Sequence, residues 1–435
     1  MSASFERRQF IKLASLLTGG AAALTQASNV VAAAAPATVA PSGRAGPPQL
    51  GETPLQWLEG QPASFGGATW GVPWPQGRIP RDAGFELRSA GGAGQPVQSW
   101  PLAYWPDGSL KWSAHALPPD AKGGLPQAGY SLHPLVGDAA KAVKPGAPLA
   151  KESAGGIEID TGVLQCSLPR SGKVLVTAMK RSGKQLLRDG RLVLLVDGAL
   201  DDETRGASRR AYDGAIDKVT LEQNGAQRVV VRIDGSHRHA DGATLLPFVV
   251  RLYFYKNSDA VRLVHTLVYD ADPAKSYIRG VGLRFGVPLA AELYDRHVRF
   301  VGDNGGVFAE AVKGLTGLRR DSGAAVYDAQ LNGRAVPLAQ MGAQVKKGLQ
   351  YIPAFGSYSL LQSHSDGFSI SKRTSAGHGW IHAASGARAS GTAYVGAPDG
   401  GVAFGVRNFW QSYPGQLDIQ GAELVPGQGK ATPMA

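Results

Sequence analysis

Apolar and polar residues alternate with a period of two along most of this chain. In the run 260–269, Val261, Leu263, His265, Leu267 and Tyr269 fall on one face, and Arg262, Val264, Thr266 and Val268 on the other. That is the pattern of a strand whose successive side chains point to opposite sides. The runs 191–196, 227–233, 247–255 and 278–287 read as further strands. Tyr255-Lys256-Asn257-Ser258-Asp259, lying between two of them, reads as a hairpin turn. Helical periodicity is scarce, with no amphipathic run beyond about a dozen residues. The 58 glycines supply turns. The pattern predicts an all-β protein: a small N-terminal β-barrel, then a large antiparallel β-sandwich, with almost no helix outside an N-terminal signal.

The first 35 residues do not follow the pattern. Arg7-Arg8-Gln9-Phe10-Ile11-Lys12 precedes a mildly apolar, Gly- and Ala-rich stretch that carries no acid and ends in small residues around Val31-Ala32-Ala33. This predicts a cleavable export signal of the twin-arginine type over 1–35, with Arg7 and Arg8 as its motif. An ordinary secretory signal with a chance arginine pair is the alternative. The stretch is interrupted by Thr18, Gly19, Gly20, Thr25, Gln26, Ser28 and Asn29, so no stable membrane anchor is expected. The expected location is periplasmic or secreted, with the twin-arginine export machinery as a partner. Residues 36–54 read as a disordered Pro/Gly/Ala/Ser linker. A Trp-rich barrel domain follows over 55–145, then a sandwich over 155–422 and a flexible tail over 423–435, with a loose connection near 137–156.

Cysteine and charge narrow the picture. Cys166 is the only cysteine, so no intramolecular disulfide can form and the core must carry the stability. It lies in a strand-like run and reads as a small buried hydrophobe. The chain carries a net +11. The signal holds Arg7, Arg8 and Lys12 against Glu6, a net +2, which leaves 11 − 2 = +9 on the remainder. Such a balance suits a polyanionic partner, although solubility alone accounts for it equally well. There is no lysine block or arginine-rich helix, so nucleic acid is not an expected partner. An acidic polysaccharide or oligosaccharide is.

Six of the eight tryptophans lie between Trp57 and Trp112. Pro106-Asp107-Gly108-Ser109 is a turn signal that places Trp105 and Trp112 on either side. These rings read first as the filling of a small barrel, with a sugar-stacking surface as the alternative. The segments Trp70-Gly71-Val72-Pro73-Trp74-Pro75-Gln76-Gly77 and Trp105-Pro106-Asp107-Gly108-Ser109-Leu110-Lys111-Trp112 resemble the N-terminal barrel of the exo-rhamnogalacturonan lyase and YetA-like family. Val261 to Thr266, Ile278 to Leu283 and Arg407-Asn408-Phe409-Trp410-Gln411-Ser412-Tyr413-Pro414 resemble its central β-sandwich. The resemblance covers about 55–422 and implies a carbohydrate-active protein acting on acidic, rhamnogalacturonan-like glycans. The family is expected to continue into a helical α/α toroid, expected to be absent here. That leaves open a non-catalytic glycan-binding protein, or a partner subunit of a separate helical chain.

Lyase chemistry at a uronic acid needs a cation on the C6 carboxylate, a base for the C5 proton and an acid for the leaving oxygen. Arginine suits the first task because its fork matches a carboxylate. Candidate catalytic residues are Arg373, His378, Arg407 and Tyr413. Candidate substrate-binding residues are Lys372, Trp380, Arg388, Asn408, Trp410 and Gln411. His237 and His239 share a strand face, but no third ligand is fixed by spacing, so no metal or cofactor is expected. His265, among apolar neighbours on its face, reads as a satisfied core histidine.

Overall fold

In the computed structural model, which describes residues 51–143, 146–199, 209–315 and 321–422, nearly every element is an antiparallel strand. Residues up to Thr177 together with Arg191–Leu283 form one unit; Ala178–Gly190 and the chain from Arg284 onward form a second. The expected signal motif Arg7–Arg8, residues 36–50 of the expected linker and the tail 423–435 lie outside the described residues.

The first unit begins with β1 (Thr53–Gln56), β2 (Ala68–Pro73), β3 (Gly84–Ser89), β4 (Gly94–Gln95), β5 (Gln98–Tyr104), β6 (Leu110–Leu117) and β7 (Gly129–Leu135). They form two small sheets, ordered β1-β7-β3-β4 and β2-β6-β5, around Val72, Trp74, Ile79, Phe85, Leu87, Leu110, Leu117 and Leu132. Thr53 and Pro54 already pair with Leu132 and Ser131, so the linker does not extend to residue 54.

Next come β8 (Ala150–Glu152), β9 (Gly156–Asp160), β10 (Leu164–Pro169), β11 (Val176–Arg181), β12 (Lys184–Asp197), β13 (Arg210–Asn224), β14 (Arg228–Arg238), β15 (Thr244–Tyr255), β16 (Arg262–Leu267) and β17 (Tyr277–Gly286). They make a ten-stranded sheet in the order β16 back to β8, with β17 pairing β12. The connection read as loose is therefore partly ordered: β8 pairs with β9, and a short helix spans Asp138–Ala142. Its composition concealed this because a three-residue edge strand has too few positions to show a period. Alternation holds along the long strands: Val229, Val231 and Ile233 of β14 and Val250, Leu252 and Phe254 of β15 are buried, while their odd neighbours Arg232, Asp234, Arg251 and Tyr253 are not. The predicted Tyr255–Asp259 turn joins β15 to β16, with Asn257 at φ 59°. Cys166 is buried on β10, and burial raises its thiol pKa.

In the second unit, β18 (His297–Val301), β19 (Val307–Ala311), β20 (Ser357–His364), β21 (Gly367–Arg373), β22 (Ile381–Gly386), β23 (Thr392–Ala397), β24 (Gly400–Gly405) and β25 (Gly415–Gln420) form two four-stranded sheets, β19-β18-β23-β24 and β22-β21-β20-β25. Val298, Phe300 and Val395 from one meet Tyr358, Leu360, Phe368 and Ile370 from the other in a sandwich core. A helical insertion, Ala324–Leu331 and Ala343–Gly348, packs Val326, Met341 and Val345 into its own small cluster. The sequence reading missed it because neither helix is long enough to display a periodic face. No helix among the described residues is long and apolar enough to cross a membrane.

Two buried histidines bear on stability. His115 is fully buried in the barrel between Ser99 Oγ (2.8 Å from Nδ1) and Ser113 Oγ (2.7 Å from Nε2). Ser113 also accepts from Trp74 Nε1 at 2.7 Å, so its proton is free to donate to Nε2, which assigns the ring proton to Nδ1 and Ser99. Burial lowers the His115 pKa to about 4. His265 was expected to be satisfied, but its buried Nε2 has no hydrogen-bond partner among the described residues. Burial, with a smaller contribution from His237, lowers its pKa to about 4.

Both rings are neutral in the fold and gain a proton in the unfolded chain below about 6.5. The unfolded state thus binds more protons between pH 6.5 and 4. Stability is full above that window and falls within it by up to about 1.4 kcal/mol per pH unit per histidine. Thermal melts at pH 7, 6, 5 and 4 should show this loss, and His265→Leu should reduce it. A second expectation concerns Gly235, at the bulge of β14: a Cβ there would lie 2.1 Å from the Ala215 carbonyl oxygen and 2.4 Å from Phe248. Gly235→Ala should cost about 1–3 kcal/mol, read as a lower denaturant midpoint at unchanged m value.

Candidate functional site

The strand period decides what each cation on β21 can do. Phe368, Ile370 and Lys372 share the core-facing side; Ser369, Ser371 and Arg373 share the other. Lys372 is therefore not presented to solvent as a substrate ligand. Its Nζ is paired with Glu310 Oε2 at 2.5 Å and lies 4.0 Å from the Phe355 ring centroid. The same carboxylate accepts a hydrogen bond from the buried Tyr358 hydroxyl at 3.2 Å. This corrects the expected binding role: Lys372 serves the sandwich core.

Arg373, one residue on, ends β21 on the opposite side. Its guanidinium carbon sits 4.6 Å from the Trp380 ring centroid, and Trp380 is 47% exposed. The turn between them is closed by His378 N–H donating to the Ser375 carbonyl at 3.2 Å, with Gly377 at φ 86°. His378 is exposed, with Nδ1 within 2.7 Å of Thr374 Oγ1 and 3.1 Å of Ser375 Oγ. Arg373, His378 and Trp380 thus belong to one local group.

The remaining candidates gather at the other end of the sheet. Asp366, in the β20–β21 hairpin turn, accepts from Arg388 Nε at 2.8 Å, and the Arg388 guanidinium carbon lies 4.5 Å from the Trp410 ring centroid. Hydrogen bonds from Ser365 and then Arg388 hold the Asp366 carboxyl below its usual pKa. Phe409, buried beside Gly391 and Gly415, anchors the turn that carries Arg407, Asn408, Trp410, Gln411 and Tyr413. Asn408 takes φ 58°, and Arg407, Gln411 and Tyr413 are exposed. Phe368, next to the hairpin, and Arg373 are five residues apart on an extended strand, roughly 17 Å at ~3.3 Å per residue. Arg407 and Tyr413 therefore do not join Arg373 and His378 around one sugar ring. The four residues expected to be catalytic form two groups, one at each end of the sheet.

Between those groups lies a surface that the sequence reading did not single out. Pairing Ser359 with Ser371, Ser371 with His382 and Ser359 with Asp418 puts these side chains side by side on the outer face of β22-β21-β20-β25. Gln416 Nε2 donates to Asp418 Oδ1 at 2.9 Å and to Ser359 Oγ at 3.3 Å. The alternation in Ser369-Ile370-Ser371 was the available signal; the neighbouring strands were not. The result is a polar sheet face rich in hydroxyl and amide groups, with an arginine-capped tryptophan at one end.

The two histidines considered for metal diverge. His237 Nδ1 is 2.8 Å from the Leu246 carbonyl oxygen, whereas His239 Nδ1 is 2.9 Å from Asp241 Oδ1. No group of three metal-ligating side chains occurs among the described residues.

Comparison with known proteins places both parts of the chain. Residues 51–133 match the PcRGLX-like N-terminal RIFT barrel domain, and residues 149–431 match the PcRGLX-like protein central beta sandwich domain. A Bacillus subtilis (strain 168) protein described as "Uncharacterized protein YetA" is 32% identical over 372 residues. The match covers 84% of this chain and 42% of that relative, so the chain spans less than half the relative's length.

The ion pair gives a direct expectation. Lys372→Ala leaves Glu310 half-buried without its cation, and should lower stability by about 1–3 kcal/mol, read as a lower denaturant midpoint. Glu310→Ala in the same background should cost much less than the sum of the single changes in a denaturation cycle.

Proposed function

This chain belongs to the rhamnogalacturonan lyase-like PcRGLX family, and on that premise we propose that it is an exported glycan-binding module for acidic, pectin-type polysaccharides. The observation that carries the proposal is the outer face of β22-β21-β20-β25. Ser359, Ser371, His382, Gln416 and Asp418 offer donors and acceptors to sugar hydroxyls, and Trp380 offers an exposed ring at the Arg373 end. Aromatic faces suit the C–H faces of sugar rings, and an arginine stacked on one is positioned to meet a uronate carboxylate. Trp410 adds a second ring beyond the hairpin end, covered by an arginine, Arg388, that is already paired with Asp366.

Binding is favoured over lyase catalysis by the placement of the candidate acids and bases. Elimination needs cation, base and acid within hydrogen-bond reach of one residue of substrate. Here Arg373 and His378 are at one end and Arg407 and Tyr413 at the other, so only the first pair could begin such a site. The twin-arginine motif Arg7–Arg8 supports export to the periplasm or beyond, with the translocation machinery as transient partner. The net charge of 11 − 2 = +9 left once the signal is removed suits a polyanion.

The test is calorimetric titration of the full chain with oligogalacturonate and with rhamnogalacturonan fragments, accompanied by ultraviolet absorbance. Binding without a rise in absorbance is the expected outcome. Trp380→Ala should weaken affinity roughly 5- to 30-fold, as loss of about 1–2 kcal/mol of stacking predicts. A rise in absorbance, reporting a new C4–C5 double bond, would instead assign elimination chemistry to the Arg373–His378 turn. Absence of any binding would remove the proposal.

A further inference from the structure

A second surface, in the first unit, joins aromatic rings and arginines drawn from five strands. Trp112 on β6 is 40% exposed, and its ring lies against Gly71 of β2, where a Cβ would be 3.5 Å away. Trp100 on β5 pairs with Ala114, two residues from Trp112, so the two tryptophans lie on one face, on either side of the bulge at Pro101–Ala103. The Arg228 guanidinium carbon, on β14, lies 5.1 Å from the Trp100 centroid and 5.1 Å from that of Tyr253 on β15. Tyr253 pairs with Arg262 on the edge strand β16, and the Arg262 guanidinium carbon lies 5.5 Å from its ring. Trp100, Arg228, Tyr253 and Arg262 therefore form a continuous row, with Trp112 on the same strand face beyond it.

Charge separates these two arginines from their neighbours on the same sheet face. Arg251 makes a two-pronged pair with Glu222 at 2.8 and 2.9 Å, and Arg232 pairs with Asp234 at 2.5 Å. Arg228 and Arg262 form no ion pair among the described residues. Arg228 is only 9% exposed, and its buried Nε has no hydrogen-bond partner among those residues. Two uncompensated cations beside stacked rings, one end presenting an exposed tryptophan and the other an exposed arginine, fit a ligand with apolar faces and carboxylates on one chain.

We infer that this row and Trp112 form a second binding site for an acidic oligosaccharide. Trp112 stacks on a sugar ring, Arg262 takes a carboxylate, and Arg228 supplies a positive floor between them. The ligand class rests on the glycan-binding reading above, while the site is independent of the face used there.

The experiment titrates the full chain with a defined oligogalacturonate, with a neutral cello-oligosaccharide as control. The variants are Trp380→Ala/Trp410→Ala, that pair plus Trp112→Ala, and that pair plus Arg262→Gln, each checked for fold by circular dichroism. Arg262→Gln lies on an exposed edge strand, so it remains informative should Trp112→Ala disturb the barrel. The double variant is expected to retain oligogalacturonate binding, and either added change should weaken it roughly 5- to 30-fold. Loss of all binding in the double variant, or binding weakened there and weakened no further by the added changes, overturns the second site and leaves the first reading intact. Unchanged binding in the double variant, lost on adding Trp112→Ala or Arg262→Gln, supports the second site and overturns the first. No binding by the native chain overturns both, and equal binding of the neutral oligosaccharide overturns the acidic class.

Discussion

Within the first unit, the position of the barrel against the long sheet depends on one buried cation. Arg228 sits between Trp100 of the barrel and Tyr253 of the sheet, with Tyr255 5.9 Å away and Gln223 Oε1 accepting from its Nη1 at 2.7 Å. Burying a guanidinium costs desolvation energy, offset here by ring faces rather than by a carboxylate. Arginine suits this because it is planar and weakly hydrated; a lysine ammonium would keep more of its hydration cost. The joint is reinforced through the backbone: Gln98 Oε1 accepts from the N–H groups of Gln227 and Arg228 at 3.0 and 2.9 Å. Gly67 lies directly over Tyr255, at φ 113° and with room for no Cβ, so the chain can pass there only as glycine. Rings and guanidinium are thereby held in place.

The same two-residue period sorts the surface cations into those paired with a carboxylate within the fold and those that are not. On β21 it turns Lys372 toward Glu310 and Arg373 toward solvent, although the two are adjacent in sequence. On the long sheet, Glu222 and Asp234 neutralise Arg251 and Arg232 but not Arg262. A net positive chain need not bind anything. The pairing pattern concentrates the uncompensated charge on a few arginines, because an arginine already forked onto a carboxylate has no free edge for another.

Stability follows from the core rather than from cross-links or surface pairs. The single cysteine is buried, and the exposed ion pairs contribute little each. Among the buried polar side chains are several imidazoles kept neutral by burial, and these make the fold sensitive to mild acid. His115 tolerates burial because two serines complete its hydrogen bonds. His265 lacks that completion at Nε2, and its neighbour His237 also carries an orphaned Nε2. The two rings lie 6.2 Å apart at one end of the sheet, where protonation of either would place unpaired charge beside Phe248.

By itself the sequence determined the all-β class, the long strands β14 to β16 with the turn at Asn257, the buried state of Cys166 and the family of both domains. Those properties are local, because side-chain alternation, turn residues and characteristic tryptophan motifs can be read within a few positions. It also singled out the cations and aromatics on β21 and in the Arg407–Tyr413 turn as candidates. Tertiary structure decided which of them meet. The period gives a residue's face but not the identity of the strand beside it, so the Lys372–Glu310 pair, the Ser359–Ser371–His382 face and the five-strand surface from Trp112 to Arg262 depend on long-range pairing. For the same reason Arg373 and Arg407, each a plausible carboxylate ligand by composition, came out at opposite ends of one sheet: the length of an extended strand sets their separation.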